Sequence, residues 1–435
     1  MFSAIARVFK TPDLRRKLLF TLGILVVYRI GVYIPAPGVD YTAVRACLAL
    51  GSTQGGVYDF VNLFSGGALL QVSVLAMGIM PYITASIIIQ LLRVVVPRFE
   101  ELHKEGAAGQ TKITQYTRYL TIALGLLQGT TLVTLAQTKQ LFPGCGQEII
   151  PGANLWIIIV AIIVLTAGTI LIMWLGELVT EHGVGNGMSI LIFTSIAAGF
   201  PGSMGSILQA KGAWVFTLVL AIGLVIMGLI VFVEQSQRRV PVQYAKRMIG
   251  RRTVGGTSTY IPIKVNMANV IPVIFASSLL ALPMMVAQFA QKADGSSSGW
   301  AQWVNDNLAS TSAPLHILLY VALTFGFTYF YVSITFNPTE VADDMKKYGG
   351  FIPGIRAGAP TAKYLGYVSN RVTFAGAWYL SIVAVIPLIA FALVNANQNF
   401  PFGGTSLIIM VGVGLETVKQ INAQMQQRHY EGLLR

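Results

Sequence analysis

The amino-acid sequence predicts an all-α polytopic membrane protein, with ten transmembrane helices in two inverted five-helix halves. Three observations carry that reading. Hydrophobic residues fill 54% of the 435 positions and charged residues only 11%, a balance that soluble domains of this length do not show. Ten apolar runs approach the ~20 residues that a helix needs to cross a bilayer. They lie near 18–34, 71–92, 114–137, 154–176, 187–203, 213–233, 266–289, 314–335, 373–394 and 404–424. Finally, with the N-terminus placed in the cytoplasm, 25 of the 30 Lys and Arg residues fall on that side. Arg45, Lys139, Lys211 and Lys292 fall on the other, and Arg29 lies inside the first run. The positive-inside rule then puts both termini in the cytoplasm. Topology absorbs most of the net charge of +13, so the charge needs no nucleic-acid partner.

Residues 1–17 read as a cytoplasmic amphipathic N-terminus, with Ile5, Val8 and Phe9 on one side of a short helix and Arg7 and Lys10 on the other. The apolar run that follows leads into IPAPGVD with no small-residue cleavage site, so it reads as a retained first helix rather than a signal peptide. Arg29, near its outer end, can snorkel outward. Cys47 and Cys145 both fall in outward-facing loops, where a disulfide is possible but its geometry is open.

The stretch Asp59–Leu92 organises the N-terminal half, 18–203. Val61–Leu70 mixes apolar residues with Asn62, Ser65, Gly66 and Gly67. It is too short and polar to span, yet it runs directly into the second apolar run. Such backbone is tolerated at membrane depth only when buried in protein or facing a water-filled cavity. The C-terminal half, 204–424, holds a matching signal. Helix two carries Pro81-Tyr82-Ile83-Thr84-Ala85-Ser86 and helix seven Pro272-Val273-Ile274-Phe275-Ala276-Ser277. Both read P-x-I-x-A-S, as an inverted repeat would place them, and each proline invites a kink.

Two inner loops are longer than topology requires. Residues 234–265 hold paired arginines at 238–239 and 251–252 around Val240, Val242 and Tyr244, which reads as a hairpin. Residues 336–372 expose Phe351-Ile352-Pro353-Gly354-Ile355-Arg356 as a tip. Both loops read as docking surfaces. The inner loop 177–186 is compact, with Gly183, Gly185 and Gly187 turning into helix five, and 425–435 is a cytoplasmic tail.

Catalytic and metal signatures are missing. His103, His182, His316 and His429 have no metal spacing, and GVGNG (183–187) lacks the phosphate-loop pattern. The chain therefore reads as no enzyme and calls for no cofactor, and work done on its substrate needs an external motor. The middles of the runs lack the acidic and Lys residues that ion-coupled transporters place at the midplane. Aliphatic pairs at i, i+4 stand there instead, Ile79 with Ile83 and Met188 with Ile192.

Taken in order, the motifs IPAPG (34–38), NLFSGGAL (62–69), IMPYITASIIIQLL (79–92), QYTRY (115–119), GVGNGMS (183–189), YAKR (244–247), KVNMANVIPVIFASS (264–278), FIPGIRAG (351–358) and FGGTSL (402–407) resemble the SecY family over essentially the whole length. That family supplies the central subunit of the bacterial protein-conducting channel. The resemblance implies a central hourglass pore that passes unfolded secretory polypeptides across the plasma (inner) membrane and releases transmembrane segments sideways. It implies a constriction lined by Ile79, Ile83, Met188, Ile192, Ile274 and Ile409, with Met188 departing from an all-isoleucine ring. Residues 61–70 become a plug, with Asn62, Leu63, Phe64, Ser65, Gly66 and Gly67 at its heart. Helices two and three against seven and eight become a lateral gate, with Thr84, Gln90, Asn266, Ser278 and Leu282 on it. Arg251, Arg252 and Arg356 become contacts to the SecA ATPase or the ribosome, with ribosomal RNA reached only through the ribosome. SecE-like and SecG-like small subunits, signal peptides, unfolded polypeptides and membrane lipids complete the expected partners. An inverted-repeat transporter of a small solute would want a midplane carboxylate, and an insertase a polar open groove; neither is present in the sequence.

Overall fold

The computed structural model describes residues 11–49, 65–138, 141, 145, 147–152, 154–244, 247–249, 252–254, 258–289, 299–309, 313–394 and 404–431. The helix expected at residues 2–10, Asn62, Leu63 and Phe64 of the expected plug, and Arg251 lie outside them. So do the side chains of Arg252 and Leu282.

Helix α1 (Pro12–Val32) starts on a proline in its first turn, where the missing N–H costs nothing. The IPAPG segment after it is extended. Its Pro35 bridges Ser73, with Ala36 N–H donating to the Val72 carbonyl (3.0 Å) and Val74 N–H to the Ile34 carbonyl (2.9 Å). Helix α2 (Tyr41–Ala49) is capped by Asp40, whose carboxylate accepts from Thr42 Oγ1 (2.6 Å) and Thr42 N–H (2.9 Å). Those bonds hold the Asp40 carboxyl below the usual carboxylate range. Cys47 and Cys145 form a disulfide with Cα atoms 5.5 Å apart, which closes the question that the sequence left open.

The second apolar run differs from expectation. Residues 66–79 are turns, and helix α3 (Met80–Val95) begins nine residues later than Gln71. Their backbone pairs with Ile34–Ala36 instead, and positive φ at Gly66, Gly67, Val72 and Gly78 interrupts any helix. Buried apolar runs of this length look alike in sequence whether helical or extended. Pro81 therefore sits in the first turn of α3 and causes no kink.

Helices α4 (Pro97–Lys104), α5 (Ala107–Gln137) and α6 (Leu155–His182) follow. The fifth and sixth runs form two helices, Gly187–Gln209 and Gly212–Gln235, separated by a break at Gly212 (φ 82, ψ 172) and labelled together as α7 (Gly187–Gln235). Its start is capped by Asn186, whose side-chain oxygen accepts from the N–H groups of Met188 and Ser189. Gly187 is obligatory, because a Cβ there would lie 1.9 Å from the Gly176 carbonyl oxygen of α6.

Strands β1 (Gln237–Tyr244), β2 (Arg247–Ile249), β3 (Arg252–Val254) and β4 (Ser258–Lys264) build the expected hairpin. β1 and β4 are antiparallel from Gln237↔Lys264 to Gln243↔Ser258, and β2 pairs with β3 above them. After α8 (Ile271–Phe289), α9 (Gly299–Val304), α10 (Pro314–Thr335) and α11 (Pro338–Lys347), strand β5 (Gly350–Phe351) adds to the free edge of β1. Val240, Val242, Ile263, Met345, Ile352 and Leu365 then share one apolar core, so the two long loops form a single unit. The tip reading is corrected in part: Pro353, Gly354 and Arg356 are exposed, but Ile352 is buried inside that core. Helices α12 (Ala359–Val394) and α13 (Gly404–Glu431) complete the chain.

Five described helical spans are long and apolar enough to cross a membrane: Ala107–Gln137, Leu155–His182, Gly187–Gln209, Gly212–Gln235 and Pro314–Lys347. Met80–Arg93 and Ile271–Leu280 are shorter apolar helices. The fold is helical and membrane-spanning.

Candidate functional site

The site is built where the two copies of P-x-I-x-A-S come together. Pro272 is the second residue of α8, as Pro81 is of α3. Each helix is entered through a residue in the left-handed region three positions before its proline, Gly78 (φ 56) and Asn269 (φ 51). The repeat thus extends from six residues of sequence to a shared mode of helix initiation. It puts Ile83 and Ile274 at equivalent positions, and the two helices touch.

All six aliphatic residues of the expected ring gather in one apolar cluster. Ile79, Ile192 and Ile409 are fully inside it, at 2%, 6% and 1% exposure. Ile83, Met188 and Ile274 are half-buried at its edge, where they line a cleft of about 380 Å³. Sequence spacing linked Ile79 to Ile83 and Met188 to Ile192; folding adds Ile274 from α8 and Ile409 from α13. Each aliphatic side chain withdrawn from water contributes roughly 1.5–3 kcal/mol, which favours close packing of the cluster.

The cleft walls are mixed: Ile87 of α3 and Ile271 and Phe275 of α8 lie beside Ile83, Met188 and Ile274, among a set of polar side chains. α3 supplies Tyr82, Ser86 and Gln90, α5 Thr114 and Arg118, α6 Glu177, Thr180 and Glu181, and α7 Asn186 and Ser189. Two of these residues, Arg118 and Glu177, are paired. Arg118 donates from Nε to Glu177 Oε1 (3.0 Å) and from Nη2 to Oε2 (2.6 Å), a bidentate fork. Fifty-nine residues separate the partners, and no local periodicity reports a pairing over that distance.

The gate residues are distributed unevenly. Gln90 lines the cleft and donates to Ser86 Oγ (3.3 Å). Thr84 and Ser278 are buried on α3 and α8, and the Thr84 hydroxyl donates to the Met80 carbonyl (3.0 Å). Asn266 lies away from the cleft lining, at the base of the hairpin. There it donates to buried Glu234 Oε1 (2.6 Å) and to the Asn269 carbonyl (3.1 Å).

Of the segment expected to form a plug, residues 65–70 are described, and Ser65 and Gly66 meet α1 and α7. Tyr28 Oη lies 2.6 Å from Ser195 Oγ and donates to the Ser65 carbonyl at 3.4 Å. Arg29 Nη1 donates to the Gly66 carbonyl (3.1 Å), so this guanidinium is engaged inward. Ala68 and Leu75 belong to the same cluster as the ring. On the sheet unit, Arg356 is exposed, as are Arg238 and Arg239, with Arg239 stacked 4.9 Å over the Tyr260 ring. Among the described residues, no three His, Cys, Asp or Glu side chains are grouped to hold a metal ion.

The family model of SecY matches residues 73–418. Similar curated proteins include the protein translocase subunit SecY of Micrococcus luteus, 62% identical over 437 residues, and that of Streptomyces scabiei, 61% identical over 441 residues. Both matches cover 100% of this chain and 100% of the relative. Among solved structures, "The structure of a protein conducting channel" is similar at a TM-score of 0.62 and 18% identity, over 94% of this chain and 92% of that one. The idle yeast Ssh1 complex bound to the yeast 80S ribosome is similar at a TM-score of 0.63 and 14% identity, over 93% and 89%.

Proposed function

This chain belongs to the SecY family and is the pore-forming subunit of a protein translocase, and from that premise we propose that the cluster around Ile79, Ile83, Met188, Ile192, Ile274 and Ile409 is its constriction. The observation that carries the assignment is convergence: six aliphatic side chains from α3, α7, α8 and α13 and their approaches belong to one cluster, and three of them line a cleft that also carries polar and charged side chains. An aliphatic ring without fixed charge closes around any polypeptide and excludes ions by dewetting. Arg118, Glu177, Gln90 and Asn186 in that cleft give the approach to the ring its polar groups.

Residues 61–70 act as the plug of the outer vestibule. The α3–α8 contact is the seam through which transmembrane segments leave, with Thr84, Gln90, Ser278 and Leu282 along it and Asn266 at its base. The ten-helix count and the inverted halves, 18–203 and 204–424, are supported by the shared helix starts at Pro81 and Pro272. The fused loops 234–265 and 336–372 offer Arg251, Arg252 and Arg356 to an acidic partner, a SecA-type ATPase or the ribosome. Small SecE-like and SecG-like subunits flank the bundle. The chain sits in the bacterial plasma membrane with both termini cytoplasmic. A disulfide between Cys47 and Cys145 supports that orientation, since disulfides persist in oxidising compartments. The subunit conducts polypeptide and leaves ATP hydrolysis to its motor.

Site-specific crosslinking of a stalled secretory chain tests the reading. Probes at Ile83 and Ile274 should capture the chain, and probes at exposed Trp174 and Leu224 should not. Equal capture at all four positions, or none at Ile83 and Ile274, overturns the assignment of the constriction.

A further inference from the structure

The plug must be held at membrane depth by something other than its own secondary structure. Residues 66–79 form turns whose amides bond largely within the segment, as at Ala68, Val72, Ser73, Ala76 and Gly78, so its start is set against the bundle by groups reaching it from outside. Two consecutive residues of α1 reach the start of that segment. Tyr28 is 2% exposed. Ser195 Oγ donates to the Leu191 carbonyl one turn back (2.9 Å), so its proton is committed and the Tyr28 hydroxyl is the donor in their 2.6 Å contact. The Ser65 carbonyl, at 3.4 Å, is the second acceptor of the same proton.

Arg29 supplies the other grip. Its Nη1 donates to the Gly66 carbonyl (3.1 Å) and its Nη2 to Tyr33 Oη (3.4 Å), with the guanidinium 5.7 Å from the Tyr33 ring. Gly66 sits at φ +66, and a Cβ there would come within 3.2 Å of Ser195 Cα and of Arg29 Nη1. The backbone at Gly66 is therefore wedged between α1 and α7. Ser65 is completely buried, and its Oγ accepts from the Leu69 N–H (3.1 Å).

A charged residue inside an apolar run is expensive and marks function by default. What Arg29 holds is informative. Its described acceptors are a backbone carbonyl and a phenol, both neutral. A guanidinium–carboxylate pair in a low-dielectric setting would resist release, whereas a bond to a carbonyl exchanges for water once the vestibule is wetted. We infer that Tyr28, Arg29 and Ser195 are positioning residues that form a releasable latch, pinning Ser65 and Gly66 so that the plug rests against the ring. The latch rests on the reading of residues 61–70 as a plug, and it opens without any proton transfer.

Resting ion conductance of the full translocase complex in proteoliposomes tests it, with Asn62–Leu69 deleted as the reference for an unplugged pore. Tyr28→Phe, which keeps the ring and its packing, and Arg29→Ala should each raise resting conductance on the order of tenfold, the effect of losing one hydrogen bond. Arg29→Lys should recover part of the seal. In the deletion background neither substitution should add to the leak, which a general loosening of the bundle would do. Wild-type conductance in Tyr28→Phe and Arg29→Ala beside a leaking deletion overturns the latch and leaves the plug standing. Additive leaks in the deletion background also overturn it. A deletion that does not leak overturns the plug itself, and the latch with it. If Arg29→Ala fails to assemble, Tyr28→Phe decides by the same readout.

Discussion

Replacing Asn266 by Ala tests how the hairpin is coupled to α8. The ladder between β1 and β4 ends at Gln237↔Lys264 and continues with Val265 N–H on the Ser236 carbonyl (3.0 Å). The Asn266 side chain then closes the base by donating to Glu234 Oε1 at 2.6 Å. Asn266 and Glu234 are 2% and 6% exposed. Truncating one partner of a buried bond to a charged group costs about 2–5 kcal/mol, much of it the stranded charge. Asn266 Oδ1 has no partner among the described residues, so losing that orphan returns part of the cost, and about 2 kcal/mol net is the expectation for Asn266→Ala. Glu234→Gln keeps an acceptor and removes the buried charge, so its effect should stay under about 1 kcal/mol. Asn266→Asp sets a second carboxylate against the first and should exceed both. The assay is thermal unfolding in lipid nanodiscs, run as a double-mutant cycle with Glu234→Ala and paired with motor-driven translocation. A coupling of about 2 kcal/mol between the sites is expected, with translocation falling while motor binding is retained. Additive losses, or an Asn266→Asp protein as stable as wild type, would refute the pairing.

Three further outcomes follow. Arg118→Ala and Glu177→Ala should each destabilise by about 1 kcal/mol and the double variant by little more, because the pair is partly open to solvent at 34% and 19% side-chain exposure; a double variant as damaged as the sum would show that the two act separately. Arg356→Glu should impair translocation and motor-stimulated ATP hydrolysis with insertion intact, and full translocation by that protein would leave the exposed arginine a merely orienting charge. Paired cysteines across the seam, Ser86 on α3 with Phe275 on α8, both of which line the cleft, should block secretion when oxidised and recover on reduction; unimpaired transport by fully oxidised protein would mean that the seam does not open there.

Much of this protein was legible in one dimension because its environment is. A bilayer demands long apolar runs, so membrane class and the spans at 114–137, 154–176 and 314–335 follow from local composition. The period-two alternation of Val240 and Val242 likewise announced a strand, since one face of a hairpin is buried. The P-x-I-x-A-S repeat was visible, but its prolines were read as kinks, and only the fold showed that both sit in the first turn after a left-handed residue. Tertiary structure alone decided the rest. Residues 71–79 carry enough apolarity for a helix, yet their backbone pairs with Ile34–Ala36, a choice set by a segment some forty residues away. The bonds Arg118–Glu177, Asn266–Glu234 and Tyr28–Ser195 join residues 59, 32 and 167 positions apart. Spacing rules reach about one helical turn or one strand pair, so contacts of that range have no local signature. The same limit applies to the aliphatic cluster: hydropathy makes Ile274 and Ile409 ordinary membrane isoleucines, and only the packing of α3, α7, α8 and α13 gathers them into one cluster with Ile83 and Met188.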